Sequence, residues 1–250
     1  DSGDFAVKIV SVYADNPKLG LPTVTATVLA LDPQTGMPLA LMEGDSLTAL
    51  RTGAAGGVAA RYLARAEART VALFGAGVQA RAQIQAVMAV RKIERVWIVD
   101  PFESAAQRLA DEISNWPDAP TITLADSAQS ALAQADIVLA ATTTTTPLFD
   151  GKDLKPGAHV TGVGSFTPQM QEIDANTIRR ARVVVDQRDA AMAEAGDIII
   201  GKAVIDAEIG EIINGDQPGR RNDEEITFFK SVGLAVQDAV TATAVLKAAE

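Results

Sequence analysis

The chain has 250 residues, 48% hydrophobic and 22% charged, with a formal net charge of −10 and no cysteine. The length suits one large or two small domains, and the acidity argues against nucleic-acid and anionic-membrane partners, which need a basic face. The lack of cysteine excludes disulfides and thiolate chemistry and fits the cytoplasmic location that we expect, while one histidine, His159, is too few for a histidine metal site.

The first part of the chain predicts an antiparallel meander followed by a helix. Its β-rich runs are separated by turn clusters at 15–20 and 32–36; the runs are residues 5–13, 23–31 and 38–42. A helix is expected from about residue 46 to 64. A second amphipathic helix, residues 234–249, is expected to return to this domain, and no apolar run reaches the roughly 18 residues of a membrane span.

A strand–turn–helix segment begins at Thr70 and predicts a dinucleotide site. Gly75 permits a tight turn, Gly77 lets a pyrophosphate approach the main chain, and Ala80 lets the helix pack closely on the strand. The helix start offers free N–H groups to phosphates. A purely structural turn is the alternative. The residues predicted to bind the cofactor here are Gly75, Gly77, Val78, Gln79 and Ala80.

A second predicted strand, residues 95–99, ends in Asp100, which stands 25 residues after Gly75. The acid that binds the adenosine ribose is expected about 20 residues after the glycine turn. A carboxylate accepts hydrogen bonds from the ribose hydroxyls of NAD and repels the 2′-phosphate of NADP, and no arginine follows closely. We therefore favour NAD(H), with NADP(H) as the other candidate.

Short strands continue to alternate with helices, which predicts a parallel, doubly wound sheet with right-handed crossovers. Further strands are expected at 121–124, 137–141, 158–163 and 183–186, the last of them closing the sheet. Helices are expected at 78–91, 103–115, 127–133 and 172–180. The predicted fold class is α/β: a Rossmann-type sheet in residues 67–225, and a smaller α+β substrate or dimerisation domain in 1–66 plus 226–250.

The strand 137–141 ends in a run of five threonines. Ligands of such sheets bind at the carboxyl ends of the strands, so Thr142 and Thr143 are predicted to lie near the second phosphate or ribose. A strand end rich in β-branched residues is the equally weighted alternative. His159 stands in a run typical of a buried strand, which favours a role in the core over catalysis.

Two cations stand in positions where a charge is costly without a purpose. Lys8 interrupts an apolar strand, and Arg51 lies among small helix residues. A guanidinium fork suits a carboxylate, so together they predict a pocket for a small carboxylic acid. The alternatives are an outward-facing lysine and an Arg51–Glu43 pair. Asp238 and Glu43 are either pocket carboxylates or surface and helix-cap charges.

These residues stand in stretches that resemble the ornithine cyclodeaminase/mu-crystallin family, which includes cyclodeaminases, alanine dehydrogenases and ketimine reductases. The segments Thr-Ala-Leu-Arg-Thr and Lys-Ser-Val-Gly are much more specific than the glycine turn. In the family's order, and over nearly the whole chain, the matching stretches are residues 7–10, 20–26, 47–55, 74–80, 155–159 and 227–233.

The resemblance implies that Arg51 binds the substrate carboxylate, and that Lys8 contacts it too or protonates the imine nitrogen. It also implies a homodimer formed through the meander domain. Family members carry a further N-terminal segment with another carboxylate-binding arginine, which we expect this chain to lack. The further residues implied at the cofactor are Val163, Gly164, Ser165, Ser231 and Gly233.

Cyclodeaminases carry an aspartate where this sequence has Phe166, which can act neither as an acid nor as a base. The resemblance therefore favours an NAD(P)H-dependent reductase of small α-imino acids. Its substrate would be a cyclic ketimine such as pyrroline-2-carboxylate, or pyruvate with ammonia to give alanine. The alternatives are a cyclodeaminase that recycles NAD and a non-catalytic protein that binds a nucleotide or small ligand.

Overall fold

The computed structural model describes residues 3–13, 15–22 and 24–249. They form two compact units, one of residues 1–51 and 233–250 and one of residues 52–232. The predicted domains, 1–66 with 226–250 and 67–225, stay a prediction. Five positions of the predicted domains lie outside the described residues: 1, 2, 14, 23 and 250. One of them, Thr23, is the predicted start of a strand.

The first unit contains a three-stranded antiparallel sheet of β1 (Phe5–Val12), β2 (Val24–Leu31) and β3 (Pro38–Glu43), with β2 in the middle. Alternate residues of the strands point to opposite faces, and one face packs on the helix α9 (Ala235–Ala249). Val28, Ala30 and Ala242 are the buried centre of this packing. The helix α1 (Gly44–Leu63) begins in this unit, and its later residues belong to the second.

The second unit contains an eight-stranded sheet in which every neighbouring pair is parallel, in the order β10-β9-β11-β8-β7-β4-β5-β6. The predicted α/β fold class is confirmed. The strands are β4 (Thr70–Phe74), β5 (Arg95–Val99), β6 (Thr121–Leu124), β7 (Ile137–Ala140), β8 (His159–Gly162), β9 (Ala181–Val185), β10 (Ala207–Glu208) and β11 (Ile226–Lys230). The helices are α2 (Val78–Val90), α3 (Glu103–Ser114), α4 (Ala128–Leu132), α5 (Ala175–Arg180), α6 (Arg188–Glu194), α7 (Gly196–Gly201) and α8 (Ile209–Ile213).

Both faces of this sheet are covered, because successive residues of a strand enter different cores. In β4, Phe74 joins the core that contains Ile198 of α7, whereas Leu73 joins the core that contains Ile84 of α2 and Leu109 of α3. Such two-sided burial explains the continuous apolar runs of the parallel strands. Within the described residues, no helix is both long enough and apolar enough to cross a membrane.

The prediction that residues 183–186 close the sheet is wrong. Residues 183–185 belong to β9, which has β10 on one side and β11 on the other, and Asp186 follows it. β11 was not predicted as a strand, although Ile, Thr and Phe are favoured in strands; its place between β8 and β9 comes from pairing with strands far away in sequence. The predicted helix 172–180 starts only at α5, since the Asp174 side chain accepts the N–H groups of Asn176 and Thr177 and caps it there.

His159 lies in the core of the second unit. Its Nδ1 is 2.9 Å from Oγ1 of Thr227, and its Nε2 is 3.0 Å from Oγ1 of Thr161. Burial, together with the positive charges of Arg220 and Arg91, lowers the pKa of His159 to about 3. The ring is therefore neutral at physiological pH and holds two strands together.

Candidate active site

The turn after β4 requires a glycine for two reasons. Gly75 has a φ of +96°, a conformation that side-chain-bearing residues rarely adopt. A Cβ on Gly75 would also lie 2.6 Å from the carbonyl oxygen of Ala141, the residue that follows β7. The Gly75 N–H donates to the carbonyl of Val99 at 2.9 Å, which joins the ends of β4 and β5.

The N-terminus of α2 fits a pyrophosphate. Gly77 is the N-cap residue and supplies no side-chain cap, so the first N–H groups of the helix remain available to an anion. A Cβ on Gly77 would meet no atom within 4 Å. Val78 is exposed and Ala80 is fully buried against the sheet, while the buried Oε1 of Gln79 has no hydrogen-bond partner among the described residues.

Asp100 follows β5 and is half-buried. One of its carboxylate oxygens accepts the N–H of Phe102 at 2.8 Å, which fixes the loop around the acid. This placement at the carboxyl end of the strand next to β4 is the one expected of a residue that binds the adenosine ribose.

Replacing Asp100 with serine is expected to raise the dissociation constant of NADH about tenfold, because two ribose hydroxyls lose a charged acceptor. The same change is expected to strengthen NADPH binding, since it removes a charge that repels the 2′-phosphate. Fluorescence titration with each nucleotide measures both effects. Asp126→Ser, at an exposed site of the same unit, is the control, and unchanged NADPH affinity would contradict the assignment of Asp100.

The ends of β7 and β8 lie side by side. Val163, which follows β8, donates its N–H to the carbonyl of Ala140 at 3.0 Å. The N–H groups of Thr142 and Gly164 both donate to the buried carboxylate of Glu172, whereas Thr143 is exposed. Sequence reasoning missed Glu172, which it placed inside a helix.

Two predicted cofactor residues use their side chains inside the protein. The Ser165 hydroxyl donates to the carbonyl of Met170 and accepts the N–H of Asp197, and it is fully buried. The Ser231 hydroxyl donates to Asp186 at 2.8 Å. Both hydroxyls therefore shape their loops, and a cofactor contact by these residues stays a prediction.

In the first unit, Lys8 and Arg51 share one carboxylate. Lys8 Nζ lies 3.1 Å and Arg51 Nε 3.2 Å from the same oxygen of Asp238, which is on α9. Each of the three side chains is only 12% exposed. Arg51 Nη1 also donates to Oε1 of Gln237 at 3.2 Å. The structure thus brings the two predicted catalytic cations together.

The sequence left the roles of two acids open. Asp238 is the buried carboxylate between the cations, so it is not a surface charge, and its place in a substrate pocket stays a prediction. Glu43 caps α1 instead, since its carboxylate accepts the N–H groups of Asp45 and Ser46 at 2.6 and 2.9 Å. Arg51 therefore pairs with Asp238 and not with Glu43. Gln237 carried no signal in the sequence.

Gly233 leaves room for the Arg51 guanidinium. Its φ is +90°, and a Cβ at this position would clash with Nη1 of Arg51. Gly233 and Arg51 both lie in the first unit, so this contact is made within it. That Gly233 also lies near the cofactor stays a prediction.

The sequence model of the ornithine cyclodeaminase/mu-crystallin family matches residues 1–250. The chain belongs to this family. It is 43% identical over 244 residues to the Delta(1)-pyrroline-2-carboxylate reductase of Bacillus cereus, covering 94% of this chain and 74% of that protein.

Two solved structures are also similar. The Delta(1)-pyrroline-2-carboxylate reductase of Thermococcus litoralis, in complex with NADH and L-proline, superposes with a TM-score of 0.94 at 44% identity, over 99% of this chain and 78% of that one. An archaeal alanine dehydrogenase dimer with bound NAD has a TM-score of 0.92 at 35% identity, over 98% and 77%. The predicted family is confirmed, and the predicted enzyme class and cofactor are those of these relatives.

Proposed function

We propose that the chain is an NADH-dependent reductase of a small cyclic α-imino acid, with Δ1-pyrroline-2-carboxylate as the first candidate and proline as the product. The observation that carries this proposal is the pair of buried cations, Lys8 and Arg51, on the single carboxylate of Asp238. The identity to reductases of this substrate supports the choice among imino acids.

The charges of this cluster suit a monocarboxylate. Lys8 and Arg51 together carry two positive charges and Asp238 carries one negative charge, which leaves one positive charge in a nearly buried place. A buried charge without a counter-ion is costly, and a substrate carboxylate supplies that counter-ion. The Arg51 guanidinium can bind it by donating two parallel hydrogen bonds to its oxygens.

Each side chain then has a defined task. Arg51 fixes the carboxylate and so presents the neighbouring imine carbon in one orientation. When bound, NADH supplies the hydride that this carbon accepts. Lys8, or a water that it holds, gives a proton to the imine nitrogen, so that the C=N bond gains one hydride and one proton and becomes an amine. Asp238 keeps the Lys8 ammonium in place.

Phe166 supports a net reduction over cyclodeamination. It follows β8, is 41% exposed and cannot exchange a proton. The archaeal alanine dehydrogenase relative makes the imine of pyruvate and ammonia the second candidate substrate.

Consumption of NADH decides between these substrates. Purified protein is mixed with pyrroline-2-carboxylate, with piperideine-2-carboxylate, or with pyruvate and ammonia, and a parallel series contains NADPH. We expect the highest kcat/KM with pyrroline-2-carboxylate and NADH. Formation of proline and ammonia from ornithine without net NADH change would instead establish a cyclodeaminase, and tight NADH binding without any turnover would establish a binding protein.

We also propose that the chain forms a homodimer through the outer face of the small sheet, and that it is cytoplasmic. Val7, Leu29 and Leu41 stand opposite one another in a row across the three strands, and Leu41 is 74% exposed. Together with the exposed Phe5, Ile9 and Leu39 they make an apolar surface that an isolated unit would leave in water.

Leu41→Lys is expected to convert the dimer to monomer, because it places a charge in the middle of the apolar face that the proposed dimer would bury. Light scattering of the purified protein measures the mass in solution. Val204→Lys, at a residue of the second unit that is 83% exposed, is the matched control. A wild-type monomer, or a dimer that survives Leu41→Lys, would contradict the proposed interface.

A further inference from the structure

We propose that Glu172 is a positioning residue for the cofactor: it holds the ends of β7 and β8 in the shape that the nicotinamide half of NADH requires. This inference rests on the proposed function, since it assumes that NADH binds at the carboxyl ends of these strands. In this role Glu172 touches neither the substrate nor the transferred hydride and acts only through Thr142 and Gly164.

The Glu172 carboxylate ties two neighbouring strand ends together. Its Oε1 accepts the N–H of Thr142 at 2.6 Å and the Thr142 hydroxyl at 2.9 Å, and its Oε2 accepts the N–H of Gly164 at 2.6 Å. The side chain is fully buried. Hydrogen bonds to a charged acceptor in such surroundings are strong, so the spacing of Thr142 and Gly164 is fixed by one group.

The order of the strands assigns these two residues to the nicotinamide half. A dinucleotide crosses the sheet where the strand order reverses, here between β4 and β7, with the adenosine ribose on the acid that follows the first crossover. That acid is Asp100, after β5. Thr142 and Gly164 follow β7 and β8, on the other side of β4, where the second half of the cofactor is expected.

Glu172 is itself held by a buried ion pair. Its main-chain N–H and that of Ile173 donate to Oδ1 of Asp197 at 2.7 and 2.9 Å. Oδ2 of Asp197 lies 3.8 Å from Nζ of Lys230, and both of these side chains are fully buried. Burial raises the pKa of Asp197 to about 6 even though Lys230 opposes the shift. Asp197 therefore anchors the segment that presents the Glu172 carboxylate, and Lys230, the last residue of β11, supplies a positive charge beside it.

The Glu172 carboxylate is tightly packed against Thr142 and Gly164. A Cβ on Gly164 would clash with the carbonyl oxygen of Thr142 and with Oε1 of Glu172. Glutamine is not an equivalent replacement at position 172, because its NH2 group would face an N–H donor where an oxygen now accepts. Glu172→Gln is therefore expected to separate the two strand ends while it keeps the side-chain volume.

The test compares two ligands that share the adenosine half. Dissociation constants of NADH and of AMP, which is the adenosine half alone, are measured by calorimetry for the wild type, Glu172→Gln and Glu194→Gln. Glu194 is an exposed acid of the same unit, so its variant has the same change of charge. We expect Glu172→Gln to weaken NADH binding about tenfold and to leave AMP binding unchanged, and Glu194→Gln to alter neither.

A Glu172→Gln protein that binds both ligands like the wild type, or that loses both equally, would overturn the inference. If this variant does not fold, Thr142→Val decides in its place, since it removes the hydroxyl bond to Glu172 and, besides it, only the long 3.4 Å bond that the Thr144 N–H donates to the same hydroxyl. It is expected to weaken NADH binding about threefold without affecting AMP binding, and no difference between the two ligands would refute the role of Glu172. Failure of the wild type to bind NADH would overturn the proposed function itself.

Discussion

Arg51→Ala is expected to lower kcat/KM for the imino acid about a thousandfold, or roughly 4 kcal/mol in transition-state binding, while the dissociation constant of NADH stays within twofold. The guanidinium is the group that would pair with the substrate carboxylate, and its loss leaves Asp238 to neutralise Lys8. The predicted cofactor residues Gly75 and Asp100 belong to the other unit. Steady-state kinetics and NADH fluorescence titration measure the two quantities separately.

Arg61→Ala is the control for this variant, because Arg61 is an exposed arginine of the same helix. Gly233→Ala provides a graded version: the new Cβ displaces the Arg51 guanidinium, so KM for the imino acid is expected to rise. Equal losses of turnover and NADH affinity in Arg51→Ala would show that Arg51 supports the fold and does not bind the substrate.

Asp136→Ala is expected to lower the free energy of unfolding of the second unit by about 3 kcal/mol. The Asp136 carboxylate accepts hydrogen bonds from the side chains of Arg65, Lys155 and Thr70, at 2.6, 2.7 and 2.8 Å. It also accepts the main-chain N–H groups of Arg69 and Thr70. Removing it leaves several partly buried donors without an acceptor. Urea unfolding followed by circular dichroism measures the change.

The destabilisation is expected to shrink in acid. Burial alone would raise the pKa of Asp136, but the hydrogen bonds from Arg69, Lys155 and Thr70 outweigh it and hold the pKa well below the ordinary value of 3.8. A lowered folded-state pKa contributes stability that is present above the unfolded value and is lost as the pH falls below it. The difference in unfolding free energy between wild type and variant should therefore begin to shrink below pH 4 and continue to fall toward the lower, folded-state pKa. Asp126→Ala, at an exposed site, is the control, and a constant difference down to pH 2 would contradict this account.

The order of strands and helices up to β9 was predictable, because each of these elements has a local signal in the sequence: an apolar run for a strand, an amphipathic pattern for a helix, or a turn between them. The run Val71–Phe74 before Gly75 can be little else than a buried parallel strand, and the structure has β4 there. β11 is different. Residues 226–229 have the composition of a strand, but they are followed by a lysine, which usually marks a solvent-exposed position. Only the pairing of β11 with β8 and β9 makes Lys230 a buried residue.

The candidate site shows the same division. Lys8 and Arg51 were predictable as site residues, since burying a cation among apolar or small residues costs free energy unless the charge has a partner. Their partner was only one of two candidates, because Asp238 is 230 residues from Lys8 and an acid on a helix resembles any surface charge. Glu172 carried no signal, since its burial depends on Thr142 and Gly164 arriving from two other strands.

The position of β11 also determines when the large sheet can be completed during synthesis. β8 and β9 do not pair with each other; both pair with β11, which the ribosome makes after them. Until residue 230 has emerged, two strand edges in the middle of the nascent sheet lack their neighbour, and such edges recruit other chains. A chain whose translation stops before residue 226 is therefore expected to aggregate, even though it contains the complete glycine turn after β4.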